Sequence, residues 1–249
     1  MRPVVDTITA PPFPRELSWV NVAPLRMDQQ RGRPVLIEFF DVCRVASLRT
    51  LPYVQAWHAR YGARGLRAIS AHAPGYLPSR DEDAVRGALV RLGVEHPVCL
   101  DTDFALWRAY DNEGWPARYL FDGAGVLVDF HYGQGAYAET ERAIQEQLGA
   151  SGEDVLAPLR PEDAADALIA VPTPEQDGAY SGPYEAGGVW AVASGDGVLR
   201  ANGREIAVSG AGAWPLLEHR VHTAGVLELE VGAGVTCHAT SFSAGLAPG

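Results

Sequence analysis

The chain has 249 residues, 47% of them hydrophobic and 20% charged, with a formal net charge of −11. That length supports one large domain or two smaller ones with real cores. The acidic balance and the lack of a Lys/Arg stripe argue against a nucleic-acid backbone as partner. The opening "MRPVVDTITAPPFPREL" lacks the apolar core of a signal peptide, and no apolar run is long enough to span a membrane, so the expectation from the chain as written is cytoplasmic, or extracytoplasmic if a leader was removed.

In chain order, "SWVNVAPLRM" and "PVLIEFF" read as strands, the second being the continuous apolar kind found at the centre of a sheet. "VASLRTLPYVQAWHARYG", Val45 to Gly62, carries apolar residues at helical spacing, with a kink expected at Pro52. "GLRAISAH" follows as a strand and "DEDAVRGALVRLG" as a helix with acidic residues in its first turn. Next come "HPVCLD", a short helix in "DFALWRAY", the strand "ARYLFD", a turn at Gly123 to Gly125, the strand "GVLVDFHY" and the helix "YAETERAIQEQLG". Strand and helix alternate and then give way to a hairpin, which implies a central sheet with helices on both faces.

Residues 150–188 are rich in Pro, Gly and acids and read as a linker. Beyond it, "VWAVAS", "GVLRAN", "REIAVS", "LEHRVHT", "VLELEV" and "VTCHATSF" are short runs separated by Gly-rich turns, the pattern of a small β-sandwich. The expected organisation is an α/β three-layer domain over residues 1–149, the linker, and a small all-β domain over residues 189–249.

The stretch "EFFDVCRVASLRTLPY", Glu38 to Tyr53, resembles the active-site strand and helix of thioredoxin-like proteins, in particular the TlpA-like branch that includes the C-terminal region of DipZ. "LRTLPY" and "AWHARYG" match the branch after its Cys-x-x-Cys, Phe40 stands where a Trp is usual, and "GWPARYLFDGAGVL" resembles the family's cis-proline loop and hairpin, which places the cis-proline at Pro116. The resemblance covers roughly Leu17 to Leu148, and more weakly the C-terminal segment resembles a carbohydrate-binding-module-like β domain. It implies a thioredoxin-like α/β/α domain. Counting back from Leu48, Arg44 and Ser47 fall where the two redox cysteines belong. A CxxC works because one thiolate attacks a disulfide and the second cysteine resolves the mixed disulfide, so ordinary dithiol exchange is expected to be absent.

The expected remnant is a helix N-terminus with free N–H groups, the Arg44 guanidinium, the Ser47 hydroxyl, Asp41 alongside, and a facing loop of Trp115 and Pro116: a pocket for a small-molecule or protein ligand with anionic character. Cys43 is the one cysteine close to that site. Arg44 and the helix terminus would favour its thiolate, while Asp41 and a core-facing position would oppose it. By the resemblance, Glu38 matches the buried acid of the central strand, and His72 lies where a polar residue near the site is common. Cys99 in "HPVCLD" reads as a buried, inert thiol, and three cysteines with no close pair are no disulfide framework. His219/His222 and Cys237/His238 each point to opposite faces of a strand, so no metal site is expected. No nucleotide-binding or Ser-nucleophile motif occurs and no cofactor is expected. Trp190, Trp214 and Phe242 could form a glycan platform, with core packing as the other reading. Three functions therefore stand side by side: a thioredoxin-fold binding protein without dithiol chemistry, a single-cysteine thiol enzyme using Cys43, and an adaptor that recognises glycan through its β domain.

Overall fold

The apolar run Val35–Phe40 becomes a strand whose residues are all buried, and the first half of the molecule is built around it. The computed structural model describes residues 8–248. In chain order these give strand β1 (Ser18–Val20), β2 (Val35–Phe40), helix α1 (Val45–Tyr61), β3 (Arg67–His72), α2 (Glu82–Arg91), β4 (Val98–Leu100), α3 (Ala105–Ala109), β5 (Ala117–Phe121), β6 (Leu127–Tyr132) and α4 (Tyr137–Gln147). The strands form one sheet in the order β1-β4-β3-β2-β5-β6, with β2 parallel to β3 and antiparallel to β5. The long strand expected from Ser18 to Met27 is shorter than its pattern: only Ser18–Val20 pairs, and Met27–Gln30 is a turn of 3-10 helix. Pro52 is accommodated inside α1 without ending it. The Trp115–Pro116 peptide is cis.

The chain divides into two compact units that do not follow its order: residues 1–40, 50–73 and 95–157, and residues 41–49, 74–94 and 158–249. In the first, one face of the sheet packs Ile37, Phe39, Ile69, Leu106, Tyr119 and Phe121 into a core. The other face packs Leu36, Ala68 and Leu120 against Val54, Trp57 and Tyr61 of α1 and Tyr137 and Ile144 of α4. Glu141 ties those two helices together. It is 1% exposed and accepts from Arg60 Nη1 (2.9 Å), Tyr61 Oη (2.6 Å), Trp57 Nε1 (3.2 Å) and the Leu156 amide (2.8 Å).

The second unit contains the remaining strands, β7 (Ile169–Ala170), β8 (Gln176–Asp177), β9 (Gly182–Ala201), β10 (Arg204–Ser209), β11 (Gly212–Leu227), β12 (Leu229–Val231), β13 (Val235–Ser243) and β14 (Gly245–Leu246). Strand β9 pairs with β10, β11, β12 and β13. Two corrections to the sequence reading follow. The segment read as a linker supplies β7, β8 and the first residues of β9, and the break expected between "VWAVAS" and "GVLRAN", at Gly195 and Asp196, is interior to β9. Glycine serves there for close approach: a Cβ on Gly195 would lie 2.0 Å from the Gly234 carbonyl oxygen, and one on Gly197 2.5 Å from that of Ala233. Tyr184, Val189, Leu199, Leu216, Leu227 and Phe242 form the core of these strands.

Glu141→Ala removes a buried acceptor from four donors, and removing one partner of a buried charged network costs about 3 kcal/mol or more. Urea denaturation followed by the helical circular-dichroism signal should show that loss, with Glu141→Gln losing less because it keeps an acceptor oxygen.

Candidate functional site

Between the end of β2 and the first residue of α1 lie Asp41, Val42, Cys43 and Arg44. The Asp41 carboxylate shapes this turn: Oδ1 accepts from the Cys43 amide (2.9 Å) and Oδ2 from the Gly75 amide (2.7 Å). Its carbonyl accepts from the Arg44 amide (3.0 Å), and its own amide donates to Ser47 Oγ (3.2 Å). Asp41 and Ser47 are both fully buried. Asp41 and Ser47, which the sequence reading placed in a ligand pocket, thus hydrogen-bond to each other and, through Asp41, to Gly75 of a separate segment.

Arg44 is only partly buried, and its guanidinium lies over the Tyr76 ring, 5.2 Å from the centroid. Gly75 permits this arrangement, since a Cβ there would sit 2.6 Å from Arg44 Nε and 2.9 Å from Asp41 Oδ2. Tyr76 Oη donates in turn to Glu175 (2.6 Å), which also accepts from Ser241 Oγ. Tyr76, Gly75 and Glu175 carry no sequence signal that marks them as site residues; they reach the turn only through the tertiary fold.

Cys43 is 0% exposed. Burial, reinforced by the neighbouring Asp41 carboxylate, pushes its thiol far above the ordinary range, against smaller opposing effects of Ser79 and Arg91. Nucleophilic thiols have the opposite environment, exposed and electropositive. Cys99 is buried and pushed up in the same way, and all three cysteines are free.

Glu38, Trp115 and Pro116 belong to the first unit. Burial pushes the Glu38 carboxyl up to about 7, with the Ser70 hydroxyl and the charge of Arg118 acting the other way. Ser70 Oγ donates to Glu38 Oε2 (2.8 Å) and lies 2.7 Å from His96 Nε2. A hydroxyl with its one proton on Glu38 can only accept from His96, so that bond requires the Nε2–H tautomer. Burial holds His96 neutral, down to about 3. Trp115 Nε1 donates to the Ala73 carbonyl (2.9 Å), and its ring lies 4.3 Å from that of Trp107. His72 is buried with its ring edge-on to Phe40. Ser70 and His96 are polar residues that the sequence reading passed over as site residues, although Ser70 lies within the strand run "GLRAISAH" and His96 opens the run "HPVCLD".

In the β strands, His219 pairs with Tyr184 Oη (2.9 Å), His238 with Ser194 Oγ (2.8 Å), and Cys237 Sγ with the Ala239 carbonyl (3.4 Å). Among the described residues no three His, Cys, Asp or Glu side chains converge as a metal site, and no helix is long and apolar enough to cross a membrane. Phe242 is a core residue, and Trp214 lies beneath the Arg91 guanidinium.

No family model matches the chain. It is 31% identical over 153 residues to Protein DipZ of Mycobacterium tuberculosis and of Mycobacterium bovis, a match covering 60% of this chain and 22% of DipZ. It therefore spans about a fifth of the length of those relatives. It is also 27% identical over 142 residues to the thiol-disulfide oxidoreductase YkuV of Bacillus subtilis, covering 55% of this chain and 93% of YkuV. Among solved structures, a thioredoxin-like protein in its oxidised form superposes with a TM-score of 0.52 at 25% identity, covering 57% of this chain and 96% of the other. A DsbE from Chlorobium tepidum, described as a putative thiol:disulfide interchange protein, superposes at 0.51 with 19% identity, covering 57% and 97%. Over that part the chain has a thioredoxin-like fold, and most of the remainder is strands in sheets.

Between the ordinary carboxyl value of 4.5 and the folded value of about 7 the native state holds a proton on Glu38 that the unfolded chain has released. Its contribution to stability therefore falls as pH rises through that window, by about 3 kcal/mol in all. Glu38→Gln cannot ionise. The stability difference between variant and wild type, from urea titrations at several pH values, should move in favour of the variant from about pH 4.5 and level off above about pH 7.

Proposed function

On a thioredoxin-like fold with Arg44 and Ser47 at the two redox positions, we propose that this chain has given up dithiol–disulfide exchange and serves as a binding protein, taking a ligand or partner at the surface around Arg44. The observation that carries this reading is the state of the one thiol near those positions: Cys43 is fully buried and its thiol is pushed up. A resolving thiol is missing as well, since Ser47 presents a hydroxyl already bonded to the Asp41 amide. Arg44 is the charged group of the turn that keeps partial exposure, and a planar guanidinium supported on an aromatic ring suits a carboxylate or another oxyanion.

The single-cysteine reading needs an accessible, stabilised thiolate, and neither the burial of Cys43 nor the direction of its shift supplies one. The glycan reading needs an open aromatic platform, whereas Phe242 packs in the core and Trp214 is covered by Arg91.

The protein should reduce insulin no faster than the reductant alone, and the rate should be the same in Cys43→Ser. Catalysis that Cys43→Ser abolishes would sink the reading. In a two-dimensional NMR titration with sulfate and with acetate as probes, saturable shifts should appear at Arg44 and Tyr76 and vanish in Arg44→Gln. Shifts that survive that substitution would place binding elsewhere.

A further inference from the structure

The second unit brings together chain segments far apart in sequence. Its turn at residues 41–49, the segment 74–94 that carries α2, and the β strands after residue 158 form one compact body. The join is specific. The Ala213 amide, in the second residue of β11, donates to the Val42 carbonyl (3.3 Å), immediately before Cys43. Arg91, the last residue of α2, forks onto the chain leading into that strand: Nη1 donates to the Ser209 carbonyl (2.9 Å) and Nη2 to the Ala211 carbonyl (2.8 Å). The same guanidinium lies over the Trp214 ring, 4.4 Å from its centroid. Gly212 makes room for it, because a Cβ there would meet Arg91 Nη2 at 2.5 Å.

Two further straps run the same way. Tyr76, with Arg44 over its ring, donates to Glu175. Arg49 donates to Glu162 (2.6 Å), while Arg160 donates to the Arg49 carbonyl (2.6 Å). The contact at Val42 is a backbone hydrogen bond from the extended segment at the start of β11. Planar Arg forks onto carbonyls and an aromatic face are strong, geometrically exacting contacts.

We propose that the Ser209–Trp214 segment is a built-in occupant of the turn after β2, latched by Arg91, and that Val42 and Cys43 become accessible only when this latch opens. Occupation of the site is then regulated from within the chain. The latch stands without the ligand reading; only its consequence for binding rests on that reading.

The test is the alkylation rate of each cysteine by N-ethylmaleimide in the full chain, resolved by peptide mass spectrometry, in wild type and in Arg91→Ala. Cys43 and Cys237 both lie in the latched unit and buried Cys99 in the other, so Cys237 reports unfolding of the latched unit as a whole and Cys99 that of the other. The latch predicts that Arg91→Ala speeds Cys43 by at least about tenfold, the scale of a lost charge-assisted pair of hydrogen bonds, with Cys237 and Cys99 unchanged. An unchanged Cys43 rate, or Cys43 rising together with Cys237 or Cys99, overturns it. Should the variant fail to fold, wild type labelled across sub-denaturing urea decides: Cys43 must become reactive through an opening of smaller free energy and smaller urea dependence than the unfolding reported by Cys237 and by Cys99. Equal values overturn the latch. A released Cys43 with no sulfate or acetate shift in either protein supports the latch and removes the ligand reading, so the two fail separately.

Discussion

The sharing of one carboxylate between two backbone amides is the constraint on which the turn after β2 depends. Asp41 is fully buried, and both of its oxygens accept from amides, Cys43 on its own strand of chain and Gly75 across from it. A buried charge is tolerable only when its lone pairs are met in this way. Those bonds fix the direction of the chain into α1, and the rest follows by geometry. Cys43 turns inward beside a carboxylate, which together with burial raises its thiol. Gly75 is held close enough for the Arg44 guanidinium to pass over it to the Tyr76 ring. The cation then faces an aromatic surface tied to Glu175.

The first unit shows two solutions to burying an acid. Glu141 meets four donors, among them the Arg60 guanidinium. Glu38, on the central strand, is met by the Ser70 hydroxyl, and among the described residues its other oxygen has no hydrogen-bond partner. The first arrangement is a structural clamp. The second leaves desolvation as the dominant cause, and the carboxyl rises to about 7. Because Ser70 also meets His96, a change of charge on Glu38 would be felt by a histidine that burial keeps neutral. The central strand thus carries an acid whose charge responds to pH near 7.

Much of the first half was legible because its signals are local. The continuous apolar run of β2, the helical spacing from Val45 to Tyr61, the acid-rich start of α2 and the resemblance that set the cis bond at Pro116 all have counterparts in the structure. In the second half local signals misled. Gly195 reads as a turn because glycine usually punctuates strands, yet it and Gly197 allow neighbouring backbone to come close inside β9. The partners of the site were less legible still. Asp41 finds Gly75 across 34 residues, and Arg91 finds Ala211 across 120, and no periodicity in the sequence encodes either meeting.

On the proposed reading, absence of the two redox cysteines and closure of the turn are two aspects of one constraint. Thiol–disulfide exchange requires an attacking sulfur that a partner disulfide can reach, so a working dithiol turn must stay open at the end of its strand. With Arg44 and Ser47 at those positions, as proposed, that requirement would be gone and the turn free to be covered. The residues present use that freedom: Ser47 bonds to the Asp41 amide, Val42 gives its carbonyl to Ala213, and Cys43 is fully buried. Restoring exchange would therefore take more than two cysteines at residues 44 and 47. The backbone contact at Val42 and the Arg91 fork, which now hold the chain's own strand against the turn, would also have to yield.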